Sequence, residues 1–406
     1  MSTFTEVDGG QRGNDLSYDP YSAINNPDPY PLYQRLRDEA PLYYNAEYDF
    51  YAVSRYEDCE RGLVDAKRYI SGRGGILELI KADVQLPPGN LIFEDPPAHT
   101  VHRSLLARVF TPRRVAALEP KIREFCARSL DPLVGSDEFD LIADLGAQMP
   151  MRVVGMLFGI PEKDQEAVRS GADANLRTKA GEAMHVDDNV TFGSEMFAEY
   201  IDWRLEHPSD DLMTELLHTE FEDEHGTTRT LTRDEALLYT TVVAGAGNET
   251  TTRLIGWAGK VLAEHADQRR ELVHDRALLP NAIEEILRYE SPGPQIARYL
   301  PEDVELYSET VSAGSVMLFV VSAANRDERR WDDADRFDVH REVGQHVAFG
   351  YGIHYCLGAA LARLEGRIAV DELLNRFPQW DVDLARARIA PTSTVRGFET
   401  LPVILP

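Results

Sequence analysis

Apolar positions along this chain recur with two different spacings. From His99 to about Val273 they return every three or four residues, which lays one apolar stripe along a helix. Pro112, Pro120, Pro132, Pro150, Pro161 and Pro208 interrupt this stretch and divide it into separate helices. "PLYQRLRDEAP", closed by Pro41, and "AIEEILRYE", stopped by Ser291–Pro294, predict two more. Elsewhere the period shortens to two. "PLYYNAEYDFYAVSRY" alternates about a turn at Asn45–Glu47 and predicts a β-hairpin. "ARYL", "VEL" and "VMLFVV" read as short strands, and "TVRGFETLPVIL" as a hairpin turning at Gly397. Residues 1–20 are polar and predict a loose tail, and the glycine-flanked "GGILELIKADVQLPPGN" predicts a mobile connection. The pattern is that of a mainly α protein with a minor β portion.

Composition narrows the partners. The chain has 406 residues, 43% of them hydrophobic and 27% charged, an ordinary globular balance able to enclose a cofactor. Length alone would suggest two or three domains. The net charge of −27 argues against nucleic acid or an anionic membrane as partner of the whole surface. Cys59, Cys126 and Cys356 show no Cys-x-x-Cys spacing, so a structural zinc site is not expected, and their sparse, odd number suits a reducing compartment. The first thirty residues hold no apolar run, and no later run reaches the ~18 residues needed to span a bilayer. A cytoplasmic protein without a membrane anchor is expected.

The candidate chemistry gathers around "AFGYGIHYCLGAALARLEG". Cys356 stands at the mouth of a predicted helix, where unpaired N–H groups and the positive dipole end favour a thiolate. Gly350, Gly352 and Gly358 permit positive φ or the close approach of a flat partner. By itself this is compatible with a buried cysteine in a glycine-rich turn, or with a nucleophile whose base is not identifiable. "FGYGIHYCLG", however, resembles at every fixed position the haem-binding loop of the cytochromes P450, Phe-Gly-x-Gly-x-(His/Arg)-x-Cys-x-Gly. The resemblance implies that Cys356 is the axial thiolate of a haem iron, with Phe349 covering the ligand side and His354 facing a haem propionate.

Three further segments resemble the family in the right order. In "AIEEILRYE", Glu285 and Arg288 match its ExxR pair, which would form a buried triad with Arg336 of "DADRFDVHR"; the plainer alternative is a surface ion pair of Glu284 with Arg288. "TTVVAGAGNETTTRLIGW" resembles the long central helix, with Ala246, Gly247, Glu249 and Thr250 in the motif positions, although the segment alone could be a strand or a small-residue packing seam. There the family's helix is distorted to admit oxygen; Thr250 would hydrogen-bond the dioxygen being activated and Glu249 would help deliver protons. "DPPAHTVHRSLLARVFTPRRV" places His99 and Arg103 on one helix face, which alone could be a solvated basic face; in the family such a pair, with Arg298 of "QIARYL", binds the haem propionates.

The resemblance implies the triangular, mainly helical P450 fold with a small β region, residues 21–406 forming one catalytic domain after the 1–20 tail. It implies haem b and the insertion of one oxygen atom from O2 into a hydrophobic small molecule. Electrons would come from a separate ferredoxin and ferredoxin reductase of bacterial type. Arg363, Arg367, Arg113 and Arg114 would form a local basic patch for that donor. The Ile76–Leu91 connection, Val242, Ala246, Pro294, Ile296, Gly397 and Phe398 would line the substrate pocket, and a monomer is expected. A peroxide-using peroxygenase and a non-catalytic haem sensor or carrier are the alternatives; neither calls for the Glu249–Thr250 pair.

Overall fold

The computed structural model describes residues 16–108, 110–186 and 197–406. The central helix, Arg233–Glu264, begins with a capping box. Thr232 accepts from the Glu235 N–H, and the Glu235 carboxylate accepts from the Thr232 N–H. With 32 residues it is about 48 Å long at 1.5 Å per residue, enough to cross the molecule. Around it pack the helices Glu119–Leu130, Met149–Phe158, Leu279–Tyr289 and Ala359–Arg376. Their apolar faces meet in one core, with Leu254, Trp257 and Val261 of the central helix against Ile283, Ile286, Ile368 and Leu373. Gly259 lets Leu141 lie against the central helix; a Cβ there would come within 2.1 Å of Leu141 Cδ2.

A four-stranded sheet stands to one side, in the order Leu42–Asn45, Phe50–Val53, Val316–Phe319, Ile296–Tyr299. The pairing of Phe50–Val53 with Val316–Phe319 is parallel and the outer two pairings are antiparallel. The predicted hairpin at Leu42–Val53 is therefore present, and its second strand continues into a sheet closed by chain more than two hundred residues away.

Several expectations need correction. The prolines do divide the helices, most of them from within a first turn. Pro112, Pro120, Pro132 and Pro150 occupy first-turn positions, where a missing N–H costs nothing. Of the expected tail, residues 1–15 lie outside the described residues. Tyr18, by contrast, is fully buried, and Asp19 caps a helix at Pro20–Asn25. The expected mobile connection contains a helix, Leu77–Ala82, whose Leu77 and Ile80 pack under the sheet. Gly397 does not turn a hairpin. Phe398–Thr400 pairs with Arg388–Ile389, whereas Pro402–Ile404 pairs with Asp381–Val382 and Glu138–Asp140. The strands Glu138–Asp140 and Phe221–Glu222 with Thr228–Arg229 lie inside the stretch read as overwhelmingly helical, and residues 187–196 of that stretch lie outside the described residues.

Candidate haem-thiolate site

The cysteine loop is fixed by its backbone. Gly350 N–H donates to Val347 O (2.9 Å), Tyr355 N–H to Gly352 O (3.1 Å) and Cys356 N–H to Phe349 O (2.8 Å). Gly350 and Gly352 have φ of +68° and +67°, and a Cβ on Gly352 would stand 2.5 Å from the Leu63 carbonyl oxygen. Gly358 ends the loop as the N-cap of Ala359–Arg376. Cys59 and Cys126 are buried, while Cys356 is exposed. Desolvation by the surrounding protein nevertheless pushes its thiol up, and the Gly358 N–H, Arg103 and Arg363 pull the other way. Phe349 lies under the Arg363 guanidinium, 4.5 Å from its ring centroid.

Four donors meet beside this loop from three separate elements. His99 and Arg103 come from the helix Ala98–Ala107, Arg298 from the sheet strand and His354 from the loop. The His99 and His354 rings are 4.3 Å apart, and the Nε2 of each is buried without a hydrogen-bond partner. Arg103 donates to the Tyr355 carbonyl at 2.6 Å and Arg298 to the Ala297 carbonyl at 2.8 Å. Among the described residues neither arginine forms an ion pair. Burial, with Arg298, His99 and Arg103 as neighbours, depresses His354 to about 3, and burial lowers Arg298 to about 10. Two arginines without an ion pair and two imidazole nitrogens without a partner are costly to enclose unless something anionic meets them. The two carboxylates of a haem fit this set of side chains, and the accessible Cys356 sulfur in the adjoining loop fits its iron.

The buried triad is present with one substitution of membership. Glu285 takes Arg288 side-on, Nε to Oε2 at 2.7 Å and Nη2 to Oε1 at 2.8 Å, and the Asp338 N–H donates to the same carboxylate at 3.0 Å. The third arginine is Arg341, whose Nε donates to Glu285 Oε1 at 3.1 Å. Arg336 corrects the expectation: its side chain is 67% exposed, 3.7 Å from Asp338. A turn closed by Arg336 N–H to Asp333 O aims its carbonyl inward, where it accepts from Arg341 at 2.8 Å. The alternative pairing of Glu284 with Arg288 is also absent; Glu284 binds Arg363 at 2.6 and 2.9 Å and His346 at 3.1 Å.

The central helix is assigned as continuous α-helix through Ala246–Thr250. Val242, Ala246 and Thr250 share one face. Thr250 donates to the Ala246 carbonyl at 2.6 Å, which leaves its oxygen lone pairs free to accept. Glu249 is buried in an ion pair with Arg253, which also donates to the Phe398 carbonyl. Sequence reasoning missed Arg253, although the Glu-x-x-x-Arg spacing advertised it. Of the pocket residues, Ala246 is exposed, Val242 and Ile296 are half-buried and Pro294 is buried. A Cβ on Gly350 would lie 3.6 Å from Ile296, which places Ile296 against the cysteine loop. Phe398 is a core residue instead, packed on Trp257 at 4.7 Å, and Gly397 lies against Arg253.

A cysteine at a glycine-shaped loop, two arginines without an ion pair and two unpartnered imidazoles beside it, and a mainly helical frame fit a haem-thiolate protein. The cytochrome P450 family profile matches residues 179–385. Cytochrome P450 monooxygenase PikC of Streptomyces venezuelae is 35% identical over 93% of this chain and 91% of its own length. Among solved structures, a mutant of P450 EryK in complex with erythromycin B aligns with a TM-score of 0.82 at 30% identity, over 93% of this chain and 95% of that one. CYP109E1 from Bacillus megaterium in complex with testosterone aligns with a TM-score of 0.81 at 28% identity, over 94% and 98%. The chain belongs to the cytochrome P450 family; it is a haem b monooxygenase with the P450 fold. Among the described residues no helix is long and apolar enough to cross a membrane.

Proposed function

We propose that this enzyme oxygenates a hydrophobic small molecule of steroid or macrolide size with electrons from a separate ferredoxin and its reductase. The observation that carries the site is the pairing of accessible Cys356 with the unmatched His99, Arg103, Arg298 and His354. Bound haem supplies the activation of O2. Cys356 is its ligand, and the four donors take its carboxylates and so fix its orientation. Thr250, its hydrogen engaged by Ala246, has oxygen lone pairs that would accept a hydrogen bond from the oxygen species being activated. Glu249 is engaged by Arg253, so it is free to pass a proton inward only when that pair opens. Val242, Ala246 and Ile296 offer the substrate an apolar wall. The bound ligands named for the two structural relatives, testosterone and erythromycin B, support a large apolar guest.

The reduced protein with carbon monoxide is expected to show the Soret position of a thiolate-ligated haem, lost in Cys356→His. With ferredoxin, reductase and ¹⁸O2, turnover of a substrate found by spin-state screening, starting with testosterone and erythromycin B, adds one labelled oxygen. Equal turnover on hydrogen peroxide alone would instead establish a peroxygenase. Thr250→Ala is expected to divert electrons to peroxide, and full coupling in that variant would remove its assigned role.

The cysteine side supports the electron-donor reading in a modified form. A cleft of about 310 Å³ there is walled by Pro112, Val115, Ile283 and Leu364 beside Arg363 and Arg367. Arg363 is tied to Glu284, Arg367 to Glu119 and Arg114 to Glu215, so these charges are largely matched. Exposed Arg113 has no ion pair among the described residues. Charge reversal at Arg113 is therefore expected to slow reduction by ferredoxin at low salt, with the difference vanishing as salt is raised. An unchanged low-salt rate would place the donor elsewhere.

A further inference from the structure

The loop from Gly72 to Glu94 has both feet on the cationic grip. At one foot Gly75 lies 3.6 Å, measured to an ideal Cβ, from Arg298 Nη1, and its carbonyl accepts from the Ala297 N–H at 3.0 Å. At the other, the backbone of Glu94 lies close enough to the His354 ring to act on its charge. The Glu94 side chain is itself buried and fully committed. One oxygen accepts from the Gly89 N–H at 2.7 Å, and the other meets His102 Nδ1 at 2.7 Å. His102 is 3% exposed and sits on the same helix as His99 and Arg103. Gly89, at φ +99°, stands against Glu235 in the first turn of the central helix. A single carboxylate thus joins the loop, the histidine–arginine helix and, through its own backbone, the cysteine loop. Its neighbour Asp95 stitches the loop's base by accepting from Ser71 and Gly72 at 2.9 and 2.8 Å.

We propose that Glu94 and His102 are a positioning dyad that couples the seating of the Gly72–Glu94 loop to the grip on the haem carboxylates. With Nδ1–H held by the carboxylate, His102 keeps one tautomer and one ring orientation, and the carboxylate in turn sets where the Glu94 backbone presents itself to His354. The coupling runs both ways. A seated loop steadies His354 and Arg298, and an occupied grip steadies the loop, by the same free energy. The inference rests on the reading that these residues hold the haem carboxylates, and the test separates the two.

The test uses the haem-loaded enzyme and measures haem transfer to an acceptor globin together with hydrogen exchange at residues 86–93. Arg298→Leu tests the grip and is expected to speed haem loss. Glu94→Ala and His102→Leu are each expected to speed it about tenfold, the usual scale for losing an outer-shell partner, and to deprotect the loop amides. Glu94→Gln retains an acceptor for Gly89 and a polar partner for His102, and is expected to recover most of both effects. Deprotected amides with unchanged haem loss in Glu94→Ala and His102→Leu would overturn the coupling, as would no change in either readout. An Arg298→Leu protein that keeps its haem at the native rate would overturn the grip itself. Should Glu94→Ala not accumulate, His102→Leu, which leaves the carboxylate paired with Gly89, decides the matter alone.

Discussion

Two clusters of charge, one around Glu285 and one around His354, are built on opposite rules. Around Glu285 each strong donor has an acceptor: Arg288 and Arg341 share the carboxylate and spend their remaining N–H groups on the carbonyls of Asn325, Ala334, Asp332, Asp333 and Arg336. Around His354 the donors outnumber the acceptors, and two ring nitrogens are left with none. A closed network of this kind holds chain to chain, whereas an open one is shaped for something that is not protein. Both clusters contain arginine and both are buried, so satisfaction, rather than charge or burial, separates a structural site from a binding site.

That contrast can be broken by substitution. The largest effect is expected at Glu285. Glu285→Gln leaves two guanidinium groups without their anion and should cost about 3–5 kcal/mol in denaturant unfolding. Arg298→Leu should behave in the reverse manner. Haem is lost faster, yet protein prepared with limiting haem unfolds at an unchanged or higher temperature, because a buried cation without an ion pair has been removed. A lower temperature would mean that Arg298 is structural after all. Arg341→Ala and Arg336→Ala sharpen the assignment within the closed network. The first should destabilise clearly, and the second should stay within about 0.5 kcal/mol, since that side chain lies in solvent.

The smallest effect is one of pH, at the half-buried pair between the two clusters. Burial alone would raise Glu284; hydrogen bonds from His346 and Arg363 more than reverse this and hold it at about 2. A carboxylate depressed in the folded state stabilises fully above its ordinary value of 4.5 and loses that contribution as pH falls towards 2. Glu284→Gln should therefore flatten the stability profile between those limits, and an unaltered slope would show that the pair contributes nothing.

The parts legible in the sequence are those in which spacing along one element decides the outcome. Cys356 with its glycines, His99 with Arg103 and Glu285 with Arg288 are all local patterns. What escaped notice depends on a partner far along the chain. Arg336 and Arg341 both follow the triad carboxylate at distances no period encodes, and only the turn at Asp333–Arg336 decides which of them points inward. Phe398 looks like pocket lining in a short apolar run, but its backbone is pinned by Arg253 and its ring by Trp257. Gly397 reads as a turn because turn chemistry is local, whereas Pro402–Ile404 takes its partner from Glu138–Asp140. Glu94 and His102 carry no motif; each is an ordinary polar residue until the loop is folded back onto the helix.

The open cluster also bears on how the protein is made. A newly synthesised chain must bring Arg103, Arg298 and two histidines together before anything offsets them, and it recovers that cost only when haem arrives. Haem therefore acts as a folding ligand whose free concentration enters the stability directly, as for any molecule that binds only the native state. A cell that translates this message faster than it delivers porphyrin and iron would lose the surplus chains to its proteases, so haem supply would limit how much of the enzyme accumulates.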